Sequence, residues 1–170
     1  MNKKSIIVLS VVIVVMISWG VRVYYVNDGI AKEYDIKTYQ VLDNVLFDNA
    51  TYKVIDFRYG AIEEDDSKTI PLTIEMEVQN TSDKSIAISR IIETKLAYGL
   101  DFYQTRDGDF DIYELKNLPP KTTTNIKLTY QVKPKYNGKE AKLYIPQDLY
   151  GEQVMDKYQT GKRYGIVIQL

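Results

Sequence analysis

Carboxylate side chains alternate in one short segment, Asp107 to Asp111, which reads DGDFD. Alternating carboxylates on a turn can converge oxygen ligands on Ca²⁺. An EF-hand loop starting at Asp107 would need Gly at its sixth position and Glu at its twelfth, but the chain has Ile112 and Leu118 there. The segment therefore predicts either a calcium site of Asp107, Asp109 and Asp111 or a tight hairpin loop in which Asp and Gly serve turn geometry.

The residues that the chain lacks restrict catalysis more than those it contains. It has no His and no Cys, which excludes Ser-His and Cys-His nucleophiles, an imidazole base, and thiolate or imidazole metal sites. No Ser-x-x-Lys motif and no seryl nucleophile elbow occurs. We therefore predict a protein that is not an enzyme and needs no cofactor, calcium apart. A hydrolase that uses paired carboxylates is the remaining catalytic alternative.

An acidic run from Glu63 to Asp66 has two interpretations. Clustered like charges can steer a cationic partner, or they can form a solvated hairpin loop.

Tyrosine is abundant, with 15 residues in the chain. On a strand, a Tyr ring packs on the sheet and its hydroxyl stays in water, so we expect a packing role for one group: Tyr52, Tyr98, Tyr130, Tyr144 and Tyr164. A second group lies near predicted loops or strand ends, where Tyr favours contact with a partner. These candidate contact residues are Tyr103, Tyr113, Tyr136, Tyr150 and Tyr158.

The N-terminal segment contains an uncharged run, rich in Ile and Val, from Ser5 to Val21. With Arg22 near its end, the segment 5–26 is long enough for a membrane helix, which needs about 20 mostly apolar residues. Lys3 and Lys4 precede the run, and basic residues favour the cytoplasmic side. We therefore predict a cytoplasmic N-terminus (1–4), a transmembrane signal-anchor (5–26), a tether (27–33) and an extracellular domain (34–170).

A cleaved signal peptide is the alternative interpretation of the same segment. Ser18 and Gly20 offer small residues at the two positions that signal peptidase reads, so cleavage after Gly20 would release a secreted effector or antigen. Against cleavage, the uncharged run exceeds the usual h-region of about 7 to 15 residues. A lipoprotein is excluded because lipid attachment needs a Cys.

Charge and cysteine usage point to a compartment. Three of the 22 basic residues lie within the first 26 positions, so the remainder has four more acidic than basic residues. That balance argues against nucleic acid as a partner. An exported domain without Cys is more typical of a Gram-positive bacterium than of a eukaryotic secretory pathway.

Alternation with period two dominates the remainder of the chain. Leu72–Gln79 and Ile126–Lys133 alternate apolar with polar residues, which predicts two half-buried strands. Shorter candidate strands are Tyr39–Val41, Thr51–Tyr59, Ser85–Ile92, Lys95–Tyr103, Ile112–Leu115, Lys142–Ile145 and Arg163–Gln169. Only Asp148–Tyr158 has a pattern that allows a helical turn or two. Short strands separated by turn residues predict one all-β antiparallel β-sandwich.

Two segments carry a resemblance to a known family. The first is LTIEMEVQNTSDKSIAIS, a strand, a polar turn and a second apolar strand, and the later one is NLPPKTTTNIKLTYQV. Together they resemble telokin-like, immunoglobulin-fold domains of exported Gram-positive proteins, over about residues 39–145. In that family a Pro-Gly turn precedes the second strand, whereas this chain has Pro119-Pro120. The resemblance implies an immunoglobulin-like fold and no particular chemistry.

The sequence therefore predicts a membrane-anchored, non-catalytic accessory protein of a bacterial envelope, used for binding or assembly. The expected partners are the lipid bilayer, through the N-terminal helix, and another envelope or membrane protein. The expected location is the cell membrane, with a single span and the C-terminal domain outside.

Overall fold

A computed structural model describes residues 2–61 and 68–170 of the chain. The acidic run from Glu63 to Asp66 lies outside the described residues. The helices are α1 (Lys3–Asn27), α2 (Ile112–Lys116) and α3 (Gly151–Gln159), and the strands are β1 (Glu33–Gln40), β2 (Val45–Leu46), β3 (Ala50–Tyr59), β4 (Ile70–Asn80), β5 (Lys95–Tyr98), β6 (Asp101–Asp109), β7 (Thr123–Val132), β8 (Lys142–Tyr144) and β9 (Lys162–Gln169).

Helix α1 is long and apolar enough to cross a membrane, as an anchor or as a signal sequence. Its 25 residues extend over about 37 Å at 1.5 Å per residue, against about 30 Å for a hydrocarbon core. None of its side chains is buried against the domain. Only five residues separate α1 from β1, and one of these, Ala31, is already buried at 1% exposure.

The nine strands form a nearly closed β-sandwich in the order β1-β9-β8-β5-β6-β7-β4-β3-β2. The pair β1–β9 is parallel and the other pairs are antiparallel. Strand β6 belongs to both layers, because Asp101–Gln104 pairs with β5 and Thr105–Asp109 pairs with β7. We call the layer from β1 to the first half of β6 sheet I, and the layer from the second half of β6 to β2 sheet II.

The core lies between the two sheets and follows the alternation in the sequence. Five apolar residues of β4 are at most 1% exposed, and four residues of β7 oppose them across the strand pair: Ile70, Leu72, Ile74, Met76 and Val78, with Ile126, Leu128, Tyr130 and Val132. Sheet I contributes Leu96, Leu143, Ile166 and Ile168. Each such apolar side chain contributes about 1.5–3 kcal/mol by leaving water, so this alternation is the main determinant of the sandwich.

Two predicted strands are wrong. Ile112–Leu115 belongs to α2, because the Asp111 side chain accepts hydrogen bonds from the backbone N–H groups of Tyr113 and Glu114 and caps the helix. Ser85–Ile92 makes one isolated bridge, between Ile86 and Leu118, and then enters a 3-10 helix, Ser89–Glu93.

Other boundaries also differ from the sequence prediction. Lys95–Tyr103 is a hairpin of β5 and β6, turned at Gly99, whose φ of +60° suits glycine. Asp107 and Gly108 lie within β6 rather than in a turn. Strand β1 begins at Glu33, six residues before the predicted strand start at Tyr39.

Candidate functional site

The outward side of sheet I carries basic and apolar residues together. On each strand of sheet I, alternate residues point into the core and the residues between them point outward. The strand register places these outward residues beside one another. This outward set includes Gln40 and Gln169 at the strand ends. We call its other twelve residues the outer face: Tyr34, Ile36, Thr38, Lys95, Ala97, Phe102, Gln104, Lys142, Tyr144, Arg163, Gly165 and Val167. The set contains three basic residues and no acidic one, although acidic residues outnumber basic ones in the domain.

Four large side chains cross the outer face diagonally, and we call them the apolar strip. Exposure is 70% for Tyr34, 49% for Ile36, 37% for Tyr144 and 57% for Phe102. The rings of Phe102 and Tyr144 lie 5.9 Å apart between centroids, which joins β6 to β8. A contiguous exposed apolar surface of this kind is typical of an interaction site.

Arg163 is held in a fixed position at the β1 end of the strip. Its guanidinium lies 5.5 Å from the centroid of the Tyr34 ring and donates a 3.1 Å hydrogen bond to the Tyr34 hydroxyl. Its Nε donates to the Ala31 carbonyl at 2.9 Å. A shallow cavity of about 300 Å³ lies beside these groups, with Gly165 in its lining. A Cβ at Gly165 would come 2.9 Å from Ile36 Cδ1, so glycine lets Ile36 lie across β9.

A larger cleft, of about 960 Å³, adjoins the strip at Phe102. It lies where β6 leaves sheet I for sheet II, and its lining consists of Thr69, Lys95, Phe102, Tyr103, Gln104, Thr105, Arg106 and Gln131. Over Asp101–Gln104, β6 pairs with β5 alone, since its pairing with β7 starts at Thr105. The cleft therefore runs along Phe102–Gln104, where β6 has one edge unpaired among residues 2–61 and 68–170.

Asp101 precedes Phe102 on β6 and does not itself line the cleft. Its carboxylate accepts hydrogen bonds from the Tyr136 hydroxyl at 2.6 Å and from the Lys133 ammonium at 2.9 Å. The Tyr136 hydrogen bond, and then that of Lys133, lower the pKa of Asp101 below its ordinary value. Asp101 is therefore ionised at neutral pH and its charge is matched locally.

The two cationic side chains that line the cleft, Lys95 and Arg106, have no carboxylate partner among the described residues. Among residues 2–61 and 68–170, no carboxylate oxygen lies within 4.0 Å of the Lys95 ammonium or the Arg106 guanidinium. The Tyr103 hydroxyl, which is inaccessible to solvent, also lacks a hydrogen-bond partner there. Within the described residues, the positive charge of the cleft thus has no carboxylate partner.

The structure brings together two of the five candidate contact tyrosines. Tyr103 and Tyr136 lie 6.3 Å apart and both contact the Tyr98 ring, so they form a half-buried cluster beside the cleft. Tyr113, on α2, is 81% exposed and away from them, and Tyr158, on α3, is 41% exposed. Tyr150 is buried at 1% exposure, and its hydroxyl donates to the Ile145 carbonyl and accepts from the Ile166 N–H.

Two of the three candidate calcium ligands, Asp107, Asp109 and Asp111, have separate local roles. The Asp111 carboxylate caps α2, and Asp107 Oδ1 accepts a 2.8 Å hydrogen bond from the Gly108 N–H. In the part of the chain that the structure describes, no three carboxylates are grouped so that they could hold a metal ion. The calcium hypothesis therefore gains no support from the geometry.

Sequence reasoning missed Tyr34, Ile36 and Phe102 as surface residues. The first two alternate along β1, in a stretch where the sequence pattern predicts no strand, since the first candidate strand begins at Tyr39. For the tyrosines expected to pack, Tyr52, Tyr98, Tyr130 and Tyr164 are buried, whereas Tyr144 belongs to the apolar strip.

The likeness of this chain to known proteins lies in its fold. It matches no model of a known protein family and no curated protein sequence. An uncharacterised β-sandwich protein from Clostridium difficile 630 is similar in structure, with a TM-score of 0.54 and 12% identity over 82% of this chain and 98% of that one. Two Bacillus subtilis proteins have TM-scores of 0.49: the yjhA protein, at 14% identity over 78% of this chain and 98% of that one, and the putative lipoprotein ycdA, at 16% identity over 75% of this chain and 38% of that one.

Proposed function

We propose that this protein is a membrane-anchored, non-catalytic binding protein of a Gram-positive envelope, and that its outer face binds an acidic segment of another envelope or membrane protein. The observation that carries the proposal is the composition of the outer face. An exposed apolar strip is flanked by Lys95, Lys142 and Arg163, with no acidic residue among the twelve positions. Such a face favours a partner of opposite charge, because complementary potentials guide encounter and disfavour wrong partners.

The strand order supports an immunoglobulin-like assignment for the sandwich. In that fold one sheet has the order A-B-E-D and the other the order C-F-G. With β3 to β9 taken as strands A to G, sheet II has the order A-B-E-D and sheet I contains C-F-G. The outer face would then be the outward side of the C-F-G sheet, extended by β1.

The short connection to α1 supports a membrane-proximal role. Lys32 N–H donates to the Gly161 carbonyl at 3.2 Å, and Ala31 is buried. Only residues 28–30 remain between the helix and the fixed part of the domain, and three extended residues span about 10 Å. A retained α1 would keep the domain beside the bilayer, where its partners would be membrane neighbours.

Retention and orientation of α1 can be tested with single cysteines, because the natural chain has none. We expect Lys116→Cys to react with a membrane-impermeant maleimide on intact cells, and Asn2→Cys to react only after the membrane is permeabilised. The intact mass of the membrane-bound protein should be that of the full chain. A mature protein that begins at Val21 and is found in the medium would instead favour the secreted alternative.

The binding surface can be tested by site-specific photocrosslinking in membranes of the producing organism. We expect Tyr144→benzoylphenylalanine, on the apolar strip, to give a discrete, protease-sensitive adduct. The matched control is Tyr113→benzoylphenylalanine, at an exposed position on α2, which should give none. Equal adducts at both positions would contradict a specific face. A protease-resistant adduct would point to an anionic polymer, and an adduct with a second copy would point to self-association; either would overturn the proposed partner.

A further inference from the structure

We infer that the cleft beside β6 binds its ligand as an added β-strand, and that this ligand is an extended acidic peptide segment of the partner. The inference rests on the proposed function and specifies where and how the acidic segment docks. It depends on three features of the cleft: a strand edge and two cations that have no partner among residues 2–61 and 68–170, and an exposed aromatic side chain.

The free edge, unpaired among the described residues, belongs to β6 and arises because this strand leaves sheet I and joins sheet II at Thr105. β5 occupies one edge of Asp101–Gln104, and β7 leaves the other edge open until Thr105. Over the same stretch Gln131 and Val132 of β7 pair with β4 alone. A peptide that pairs with an open edge gains backbone hydrogen bonds from residues of any side-chain type, which is the usual mode of strand addition.

The charges select which peptide can use this edge. Lys95 lies on β5, across the register from Gln104, and Arg106 occupies the bulge where β6 changes partner. Both line the cleft, and neither has a carboxylate within 4.0 Å among residues 2–61 and 68–170. Carboxylates on alternate residues of an added strand all point to one side of it, and could therefore meet both cations.

The size of the cleft and its aromatic wall suit an extended peptide. Ligand sites commonly enclose about 300–1,000 Å³, and this cleft, at about 960 Å³, is at the upper end. Phe102 is 57% exposed at its rim and continues into Tyr144. Because Phe102 shares the outer face with Lys95, an apolar residue on the same side of the added strand as its carboxylates, in place of one of them, would contact the apolar strip.

The test uses the full chain in detergent micelles and an acetylated, amidated octapeptide of alternating Val and Asp as the probe. Two isomers carry N-methyl groups, one on every Val and the other on every Asp, so each loses the hydrogen-bond donors along one edge. We expect the parent peptide to bind and one isomer to bind at least about tenfold more weakly, since tenfold corresponds to one or two ordinary hydrogen bonds. The other isomer should bind like the parent, and amide hydrogen exchange at residues 101–104 should slow on binding.

Controls separate this inference from the proposed function. The double variant Lys95→Gln/Arg106→Gln should weaken parent binding at least tenfold, and Lys116→Gln should leave it unchanged. If both methylated isomers bind like the parent, strand addition is wrong while acidic recognition stands. If the double variant binds normally, the cleft is not the site. If no acidic peptide binds, both proposals fall, and equal binding of a polyphosphate chain would contradict a peptide ligand.

Discussion

Replacing Asn80 by Asp should destabilise the domain by about 3–5 kcal/mol, the usual cost of an unpaired buried charge. Asn80 is fully buried at the end of β4. Its amide nitrogen lies 2.8–3.0 Å from three backbone carbonyl oxygens, those of Lys84, Leu118 and Pro119. A carboxylate has nearly the same shape but would place an acceptor oxygen against these acceptors. Urea unfolding of the full chain in micelles measures the loss.

Two comparisons identify the cause of that loss. Asn80→Ala should cost about 1–3 kcal/mol, the price of unpaired buried carbonyls without an added charge. Asn137→Asp, at an exposed position, should change stability by less than about 0.5 kcal/mol. Burial raises the pKa of an introduced carboxyl above its unfolded value of about 4, so the charge penalty of Asn80→Asp should shrink as the pH falls from that raised pKa towards about 4, below which the group is neutral in both states. A penalty independent of pH would contradict the electrostatic explanation.

Gly108→Ala should destabilise the domain by about 2–3 kcal/mol, at the upper end for overpacking. A Cβ at Gly108 would clash with the Lys127 carbonyl oxygen and lie 2.5 Å from Phe110 Cε1. The first contact is with backbone of the paired strand β7, so it can be relieved only by moving the strands apart. Thermal unfolding followed by tyrosine circular dichroism measures the change.

Gly151→Ala is the matched control for this substitution. A Cβ there meets no atom within 4 Å, and the residue begins α3. Alanine is the better helix former, so this variant should be neutral or up to about 1 kcal/mol more stable. If both substitutions destabilised the domain equally, close packing of Gly108 against β7 would not explain the effect of Gly108→Ala. We therefore attribute the glycine of the DGDFD segment to the close approach of β6 and β7 at Gly108.

The parts of the fold that depend on local alternation could be predicted from the sequence. Leu72–Gln79 and Ile126–Lys133 read as half-buried strands, and both lie within observed strands, β4 and β7. The segments that were assigned wrongly depend on side-chain hydrogen bonds that alternation does not report. Asn80 and Ser82 hold the turn before Ser85–Ile92, and Asp111 converts the next apolar segment into a helix.

The candidate site could not be predicted in the same way. The apolar strip joins Tyr34 to Phe102 through β9, β8 and β5, so it exists only once five strands that are distant in sequence are in register. The cleft depends on β6 exchanging β5 for β7 at a bulge, and no residue pattern marks that exchange. The Asn80 side chain links the two sequence segments that carry the family resemblance. It lies in the first segment, at the end of β4, and donates hydrogen bonds to the carbonyls of Leu118 and Pro119 in the second, before β7.

The most direct test of the outer face is the effect of charge reversal on crosslinking from position 144. In membranes of the producing organism, Lys95→Glu/Lys142→Glu should reduce the adduct of Tyr144→benzoylphenylalanine at least tenfold, with unchanged thermal stability of the domain. Lys116→Glu, a single reversal of an exposed charge away from the face, should leave the adduct unchanged. An undiminished adduct in the double variant would contradict recognition of an acidic partner by the outer face.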